Sequence, residues 1–414
     1  MAKSWKQKSL TGISVVVGLM IAAFVGLYVY IAATTEPLHP DPNAVPTVSD
    51  SAPSRMWADA AAQGRQIARA SVSEQNLPGL SVAVGVGGDI VWAEGFGWAD
   101  LEKQVRVTPQ TQFRTGEVSK ALTSAAAGLL LEKDRLNLDA DIQTYVPDFP
   151  EKQWPVTVRQ LMAQVAGFRD DAGDEAHMEP CAKTRDGLQL FADDSLLFEP
   201  GTKYKPSSYS WILVSAAVEA AAREPFFDYM RAAIFEPLHM AATRPDFVKE
   251  QIADRATFYF PRFSGDTRYG PESAREGDHS CYAGGGAFLS TPSDLVQFGM
   301  AVSGGHLRQG FGAQDKLLQP DTVKLLQTSQ RLTSGEETGY GLGWNLESVS
   351  LAGEPARMAG HGTKNDFIGG TAYLMTFPEH GIVIAAMTNI SFADTKAIAL
   401  KIAEVFAARG SRQQ

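Results

Sequence analysis

The strongest feature of the hydropathy pattern is an uncharged apolar run near the amino terminus. Leu10 to Ala33 contains 24 residues without a charge, enough for one helix to cross a hydrocarbon core of about 30 Å. Lys3, Lys6 and Lys8 precede the run, with no acidic residue among them. Because positive residues stay on the cytoplasmic side, we expect residues 1–9 to form a cytoplasmic tail and the bulk of the chain to lie across the membrane.

A cleaved signal peptide is the alternative interpretation of this run. Signal peptides usually carry an apolar core of about 7–15 residues followed by small residues. Ala32-Ala33-Thr34 offers a cleavage site, but the apolar run is longer than a signal needs, so its length favours an uncleaved anchor. Residues 34–55 follow and contain five prolines. Proline at that density blocks helices and sheet ladders, which predicts a semi-rigid linker.

The rest of the chain alternates short β patterns with helical patterns. Two pairs of apolar runs, each flanking a turn sequence, predict β-hairpins: Leu80 to Val86 with Ile90 to Phe96, and Ile368 to Met375 with Gly381 to Asn389. Helical spacing or helix-forming composition predicts four helices: Met56 to Gln75, Ser119 to Lys133, Trp211 to Ala222 and Ile398 to Arg409.

Strands at both ends with a helical middle predict one sheet assembled from both termini. The fold class is therefore α/β (α+β), with an antiparallel sheet flanked by helices. We expect one domain over residues 56–409, with a helical lobe inserted at about residues 134–280.

Composition and charge exclude several classes of protein. The chain has 47 acidic and 37 basic side chains and a net charge of −10, which argues against a nucleic-acid partner because such proteins need a basic face. Cys181 and Cys281 are the two cysteines; they form one disulfide or none, and they exclude a disulfide scaffold. The seven histidines are scattered without a metal-ligand motif. His177 lies in an acidic loop typical of a solvated face, so no metal site is predicted.

Ten short motifs occur in the order and spacing of a known family: Leu77–Ala83, Phe113–Gly116, Leu136–Asp139, Tyr145–Pro147, Val165–Gly167, Pro200–Thr202, Ala283–Gly286, Ser290–Leu295, Tyr340–Trp344 and Thr388–Asn389. On these motifs, residues 56–409 resemble the serine β-lactamase and penicillin-binding-protein superfamily. The resemblance is strongest to its class C-type branch, which includes esterases, D-amino-acid peptidases and the mitochondrial β-lactamase-like protein. It implies a β-lactamase/transpeptidase-like fold, a cleft that binds peptide, ester or lactam acyl groups, and no cofactor.

The resemblance also implies a Ser-x-x-Lys cluster, in which the serine attacks a carbonyl and the lysine takes its proton. The matching residues here are Glu117-Val118-Ser119-Lys120, so Glu117 stands at the nucleophile position and Lys120 at the base position. Ser119 lies about 200° around the helix and should point elsewhere. We expect Glu117 and Lys120 to form an (i, i+3) ion pair, because carboxylates are favoured at helix N-termini.

Two further clusters of the family are altered or partly kept. Where the family has Tyr-x-Asn, alignment on Trp211 places Pro206 and Ser208, so the tyrosine role is lost, and Tyr204 and Tyr209 are out of register. Where the family has a base followed by x-Gly to bind a substrate carboxylate, this chain has His361-Gly362-Thr363, with Lys364 beside it. A structural and a functional role for His361 both stay open.

Two function classes remain open from the sequence. One is a hydrolase relative with residual or altered activity through Lys120, His361 and water. The other is a non-catalytic, membrane-anchored binding or scaffold protein outside the cytoplasm. Alteration of two clusters favours the second class. The expected partners are a small-molecule or peptide acyl ligand and the membrane, and the oligomeric state is not predicted.

Overall fold

A computed structural model describes residues 2–50, 52–170, 180–181, 183–248, 250–263, 265–274, 277–303, 316–362 and 368–411. The helices are α1 Ala2–Thr34, α2 Ala58–Glu74, α3 Val118–Leu131, α4 Val158–Met162, α5 Ser208–Ala222, α6 Phe226–Met230, α7 Pro292–Val302, α8 Pro320–Leu326 and α9 Thr395–Ser411. The strands are β1 Thr47–Ser49, β2 Gly79–Val86, β3 Asp89–Asp100, β4 Val105–Arg106, β5 Phe113–Arg114, β6 Arg244–Pro245, β7 Tyr259–Pro261, β8 Pro271–Ser273, β9 Phe288–Ser290, β10 Asn345–Leu351, β11 Glu354–Gly362, β12 Thr371–Phe377 and β13 Ile382–Thr388.

One antiparallel sheet combines strands from both ends of the chain. Its order is β1-β3-β2-β13-β12-β11-β10, with β4 paired to β3. The two halves join where β2 pairs with β13, with Ala83 opposite Ala385. Every residue of β12 and β13 is buried, as expected for central strands covered on both faces. The predicted antiparallel sheet, both hairpins and the four predicted helices are confirmed.

Helices cover the two faces of the sheet, and the side chains of each strand alternate between them. In β2, Val82 and Val84 join the core beneath α2 and α9, whereas Ala83 joins the core beneath α3, α5 and α7. This follows from the two-residue period of a strand. Under α2 and α9, Trp92 stacks on Phe406 with ring centroids 6.0 Å apart.

The middle of the chain combines helices with long loops and three short strands, and it carries the disulfide. Cys181 and Cys281 are bonded to each other across 100 residues, which decides between the two alternatives left open by the sequence. The bond ties Cys181 to the short helical turn Ser280–Gly285, which packs on α5. Helix α5 is apolar on nearly every face and is buried from Tyr209 to Val218, so it forms the centre of this region.

Helix α1 is long and apolar enough to cross a membrane over Ile13–Thr34, a span of 22 residues. Most of its side chains from Ile13 onward are exposed, with Ile31 buried near its end. A membrane anchor and an amino-terminal signal sequence both have these properties.

Candidate active site

The candidate site begins where β5 passes into α3. Arg114 ends β5 fully buried, and its Nε donates to Asp246 Oδ2 at 2.7 Å. Its guanidinium lies over the ring of Phe258, 4.1 Å from the centroid, and a second nitrogen donates to the carbonyl of Ile368. Arg114 therefore fixes the first turn of α3 against the loop that precedes β12, because a buried guanidinium keeps its hydrogen bonds.

Glu117 and Lys120 form a buried ion pair at the start of α3. Glu117 Oε1 lies 2.6 Å from Lys120 Nζ; the Lys120 side chain is 1% exposed and that of Glu117 is 21% exposed. Burial is the largest influence on the Glu117 carboxyl and would raise its pKa, but the charges of Lys120 and His361 and the hydrogen bond from Lys120 together lower it. The ion pair predicted from the (i, i+3) spacing is therefore present.

Ser119 points away from this pair. It is fully buried, and its Oγ lies 2.7 Å from Thr115 Oγ1. The angular argument from the sequence is confirmed, so Ser119 does not substitute for a nucleophile at position 117.

The segment before β10 packs closely against α3. Gly343 has φ +95°, and a Cβ there would lie 2.7 Å from both Ser124 Cβ and the Trp211 ring. Ser124 Oγ donates to the carbonyl of Leu342 on the same segment. Glycine is required at this contact, because a side chain would meet α3 and α5 at once in a conformation that L-residues avoid.

His361 lies buried near the end of β11, 2% exposed. Its Nδ1 accepts the N–H of Gly362 at 2.9 Å, and its Nε2 lies 2.7 Å from Tyr340 Oη. Since Nδ1 accepts, the proton of the neutral ring is on Nε2, which donates to the tyrosine. Burial lowers the pKa of His361 to about 3, so the ring is neutral at pH 7.

Tyr340 links the sheet to the helical part of the chain. It is buried, which raises its pKa well above the usual value, while a hydrogen bond from the Gln164 side chain acts in the opposite direction. Gln164 Oε1 in turn accepts the N–H of Ser207 at 2.9 Å, just before α5. A continuous chain of hydrogen bonds thus runs from His361 through Tyr340 and Gln164 to α5.

Of the two tyrosines that the sequence alignment placed out of register, Tyr204 lies at the site. Its ring lies 5.7 Å from that of Tyr340. Burial and then the negative charge of Glu117 raise its pKa to about 12. Tyr209 instead stacks on Phe191 in the core, with centroids 4.7 Å apart. The Tyr340–Trp344 motif identified Tyr340 without indicating its role, and nothing in the sequence pattern pointed to Gln164.

Ser208 and Gly362 occupy well-defined places around these residues. Ser208 begins α5, and its N–H donates to Asp170 Oδ1 at 2.7 Å, while Pro206 is exposed just ahead of it. Gly362 has φ +146°, and a Cβ there would lie 2.3 Å from the carbonyl oxygen of Ala372. The pairing of β11 with β12 therefore requires glycine at 362.

The structure brings Glu117, Lys120 and His361 close together. Lys120 and His361 both influence the pKa of Glu117, and Glu117 and Lys120 both influence the pKa of His361. Ser208 is held by Asp170 rather than by these residues. Thr363, Lys364 and the acidic loop around His177 lie outside the described residues. Within the described ranges, no group of three or more metal-ligating side chains comes together.

Acidification should reveal the neutral state of His361. Its pKa is about 3 in the fold against 6.5 in the unfolded chain, so below pH 6.5 the unfolded chain binds a proton that the fold does not. Lowering the pH from 6.5 to 5 should remove about 2 kcal/mol of stability. Denaturant unfolding of His361→Gln should lack this loss, whereas His380→Gln, altered in the turn between β12 and β13, should keep it. Equal pH dependence in wild type and His361→Gln would contradict the assignment.

Comparisons with known proteins agree with this architecture. The beta-lactamase family profile matches residues 64–408. The bovine serine beta-lactamase-like protein LACTB, which is mitochondrial, is 27% identical over 85% of this chain and 80% of its own.

Two solved structures share the fold. The octameric penicillin-binding protein homologue from Pyrococcus abyssi has a TM-score of 0.68 at 22% identity, over 82% of this chain and 75% of its own. A class C beta-lactamase has a TM-score of 0.66 at 18% identity, over 84% and 95%. The family profile, which spans most of the sequence from α2 to α9, shows that the chain belongs to the beta-lactamase family.

Proposed function

We propose that this chain is a membrane-anchored member of the family that binds an acyl ligand in its cleft without covalent turnover. The observation that carries the proposal is the contact of 2.6 Å between Glu117 and Lys120. By the motif resemblance, Glu117 stands where the family has its serine. A carboxylate attacking an acyl group would give a mixed anhydride, which is a poor intermediate. The lysine that would activate a serine is engaged by the carboxylate instead.

The other altered clusters support the same function. Pro206 and Ser208 replace the Tyr-x-Asn pair that the resemblance implies, and proline has no proton to transfer. A His361 imidazole that is neutral at pH 7 offers no positive charge to a ligand carboxylate. We infer that His361 instead positions Tyr340 and, through Gln164, keeps the two sides of the cleft together.

A hydrolase with altered chemistry is the second candidate, and one observation favours it. The Glu117 carboxylate is 21% exposed and acts electrostatically on Tyr204, so a carboxylate and a phenol lie near each other at the site. Such a pair is able to move a proton to or from water. The low pKa of His361 and the engagement of Lys120 weaken this candidate.

The decisive experiment is covalent labelling of the detergent-solubilised full chain with a fluorescent penicillin, a fluorophosphonate and an activated ester. Intact-mass spectrometry should show no adduct on the wild-type protein, because among the described residues of the site no side chain combines a nucleophile with a free base. A stoichiometric adduct at any residue of the cleft would replace the binding function with the hydrolase candidate.

We further propose that α1 is an uncleaved anchor over residues 10–33, that residues 1–9 are cytoplasmic, and that residues 34–55, whose strand β1 pairs with β3, connect the anchor to a domain over 56–409. The three lysines before the apolar run support this orientation. The disulfide between Cys181 and Cys281 supports it independently, because disulfides persist mainly in oxidising compartments.

Protease added to intact cells or spheroplasts should therefore digest the domain. A reporter protein known to be cytoplasmic, which must stay intact, is the control. Protection of the domain until lysis would reverse the proposed orientation. Recovery of a mature chain that begins near Thr34 would identify the run as a signal peptide.

A further inference from the structure

The turn that joins β7 to β8 holds the last part of α1 through specific contacts. Arg262 donates to the carbonyl and the hydroxyl of Thr34, at 3.1 and 2.9 Å. Deeper along the helix, the Tyr269 ring lies 5.9 Å from Tyr28, and the Phe263 ring lies 6.1 Å from Phe24. We call Arg262, Phe263 and Tyr269 the hairpin tip.

The hairpin tip is continuous with the domain through strands β7 and β8. Strands β7 and β8 pair from Tyr259 with Ser273 to Pro261 with Pro271. Phe263 and Tyr269 contact each other with ring centroids 5.7 Å apart, and Thr35 Oγ1 donates to the carbonyl of Tyr269 at 3.0 Å. The apolar helix therefore contacts the domain at a defined place, in addition to its connection through residues 34–55.

The contacts with the hairpin tip extend far along α1 from its end at Thr34, which limits how much of the helix can lie in the bilayer. Phe24 lies ten residues before Thr34, which is about 15 Å along a helix axis. If the hairpin tip stayed in water, the helix from Phe24 onward would also be in water. Only Leu10 to Ala23 would then remain in the bilayer, about 21 Å of helix against a hydrocarbon core of about 30 Å.

The apolar side chains of α1 beyond Phe24 lead to the same conclusion. Val25, Leu27, Val29 and Tyr30 are 49–62% exposed, and such a concentration of apolar surface is unfavourable in water. If the full apolar run lies in the bilayer and the hairpin tip enters it too, the helix is long enough to span the hydrocarbon core and its apolar side chains are not exposed to water. On the basis of the membrane anchoring proposed above, we propose that the hairpin tip is a second membrane-binding element, inserted into the phospholipid leaflet on the domain's side.

The chemistry of Arg262, Phe263 and Tyr269 suits this position, and the two other charged side chains of the turn, Asp266 and Arg268, neutralise each other in an ion pair of 2.7 Å. The Arg262 guanidinium is at the level of Thr34, where the helix leaves the apolar run, while the neighbouring Phe263 ring reaches the level of Phe24. A cation at the headgroups with an aromatic ring below it is the usual arrangement at an interface. Tyr269 lies between these levels beside Tyr28, where an amphipathic ring is favoured.

The insertion would also orient the candidate cleft relative to the bilayer. Tyr259, at the start of β7, donates its N–H to the carbonyl of Gly369 at 3.2 Å. Gly369 lies in the loop that Arg114 holds against α3. The hairpin tip and the start of α3 are thus connected through hydrogen-bonded backbone, so the cleft has a fixed orientation to the lipid surface.

Spin labels on introduced cysteines test this insertion in the full chain, reconstituted in vesicles of phosphatidylcholine and phosphatidylglycerol at a ratio of about 3:1. The two native cysteines are bonded to each other, so each variant has one reactive thiol. Phe263→Cys and Tyr269→Cys report on the hairpin tip. Leu197→Cys, at an apolar side chain 55% exposed, is the matched control on the domain, and Leu19→Cys reports on α1.

The labels at 263 and 19 should be accessible to oxygen and shielded from a water-soluble nickel chelate, with an oxygen-to-nickel accessibility ratio several-fold above that at 197. The label at 269 should be intermediate. If the labels at 263 and 269 match 197 while 19 is shielded, the insertion is wrong and the anchor stands. If the label at 19 is also open to the chelate, the anchor fails, and the insertion fails with it. Unchanged thermal unfolding of each variant confirms the fold.

Discussion

Glu117→Ser is expected to turn an inert cleft into one that is slowly acylated by an activated ester. The substitution removes the carboxylate that engages Lys120 at 2.6 Å. It puts a hydroxyl at the start of α3, one turn before the lysine, which is the arrangement in which a lysine takes a proton from serine. Intact-mass spectrometry should show one added acyl group on the variant and none on wild type.

Adding Pro206→Tyr and Ser208→Asn should accelerate the acylation. The tyrosine returns a group that takes part in proton transfer, which contributes about 10²–10⁴-fold in general acid–base catalysis. The asparagine returns an amide that binds the acyl ligand at the start of α5. The acylation rate, measured by mass spectrometry over time, should rise from the single to the triple variant.

Two controls locate the acyl group and the base. Ser119→Ala in the Glu117→Ser background should leave acylation unchanged, because Ser119 is bonded to Thr115 away from the site. Lys120→Met in the same background should abolish it. Pro206→Tyr also releases a rigid position, so each variant must first show cooperative unfolding. A folded triple variant that never acylates would show that the cleft no longer supports acyl transfer.

The parts of the fold that were predicted from the sequence depend on local patterns. The hairpin of β2 and β3 follows from two apolar runs around a glycine turn, and α3 follows from its composition. The Glu117–Lys120 pair was also predictable, because residues three apart on a helix are neighbours. Each of these features involves residues close together in the chain, where spacing alone indicates the contact.

The parts that were not predicted depend on contacts between distant residues. Gln164, Tyr340 and His361 meet although up to 197 residues separate them, and no periodicity relates a loop before α5 to strand β11. The pairing of Cys181 with Cys281 and the contacts of Phe263 with α1 are of the same kind. A buried histidine and a ligand-binding histidine also look alike in sequence, because burial, the main cause of the lowered pKa of His361, depends on the fold.

Glu117→Ala should destabilise the fold by about 3–5 kcal/mol, the usual loss when one partner of a buried ion pair is removed. The effect is large because Lys120 is 1% exposed and would be left buried without its carboxylate. Loss of a helix cap does not contribute, since the Glu117 side chain makes no capping hydrogen bond. Lys120→Met should lose less stability, because Glu117 is 21% exposed and water can solvate its carboxylate.

The double variant Glu117→Ala/Lys120→Met completes the test. A methionine fills the site of the lysine stem without a charge, so the double variant should be more stable than Glu117→Ala alone, and the two losses should not add. Urea unfolding of the four detergent-solubilised proteins at pH 7 measures the coupling. Additive losses would mean that the two side chains do not interact in solution.

The same proteins give the pH dependence of the ion pair. The pKa of Glu117 is lowered from 4.5 in the fold, so its stabilisation is fully present above pH 4.5 and is lost as the pH falls through the lower value of the folded state. The stability difference between wild type and Glu117→Ala should therefore shrink on acidification below pH 4.5. A difference that stays constant down to pH 2 would show that the stabilisation does not come from the ionised carboxylate, and the non-catalytic function would then lose the contact on which it rests.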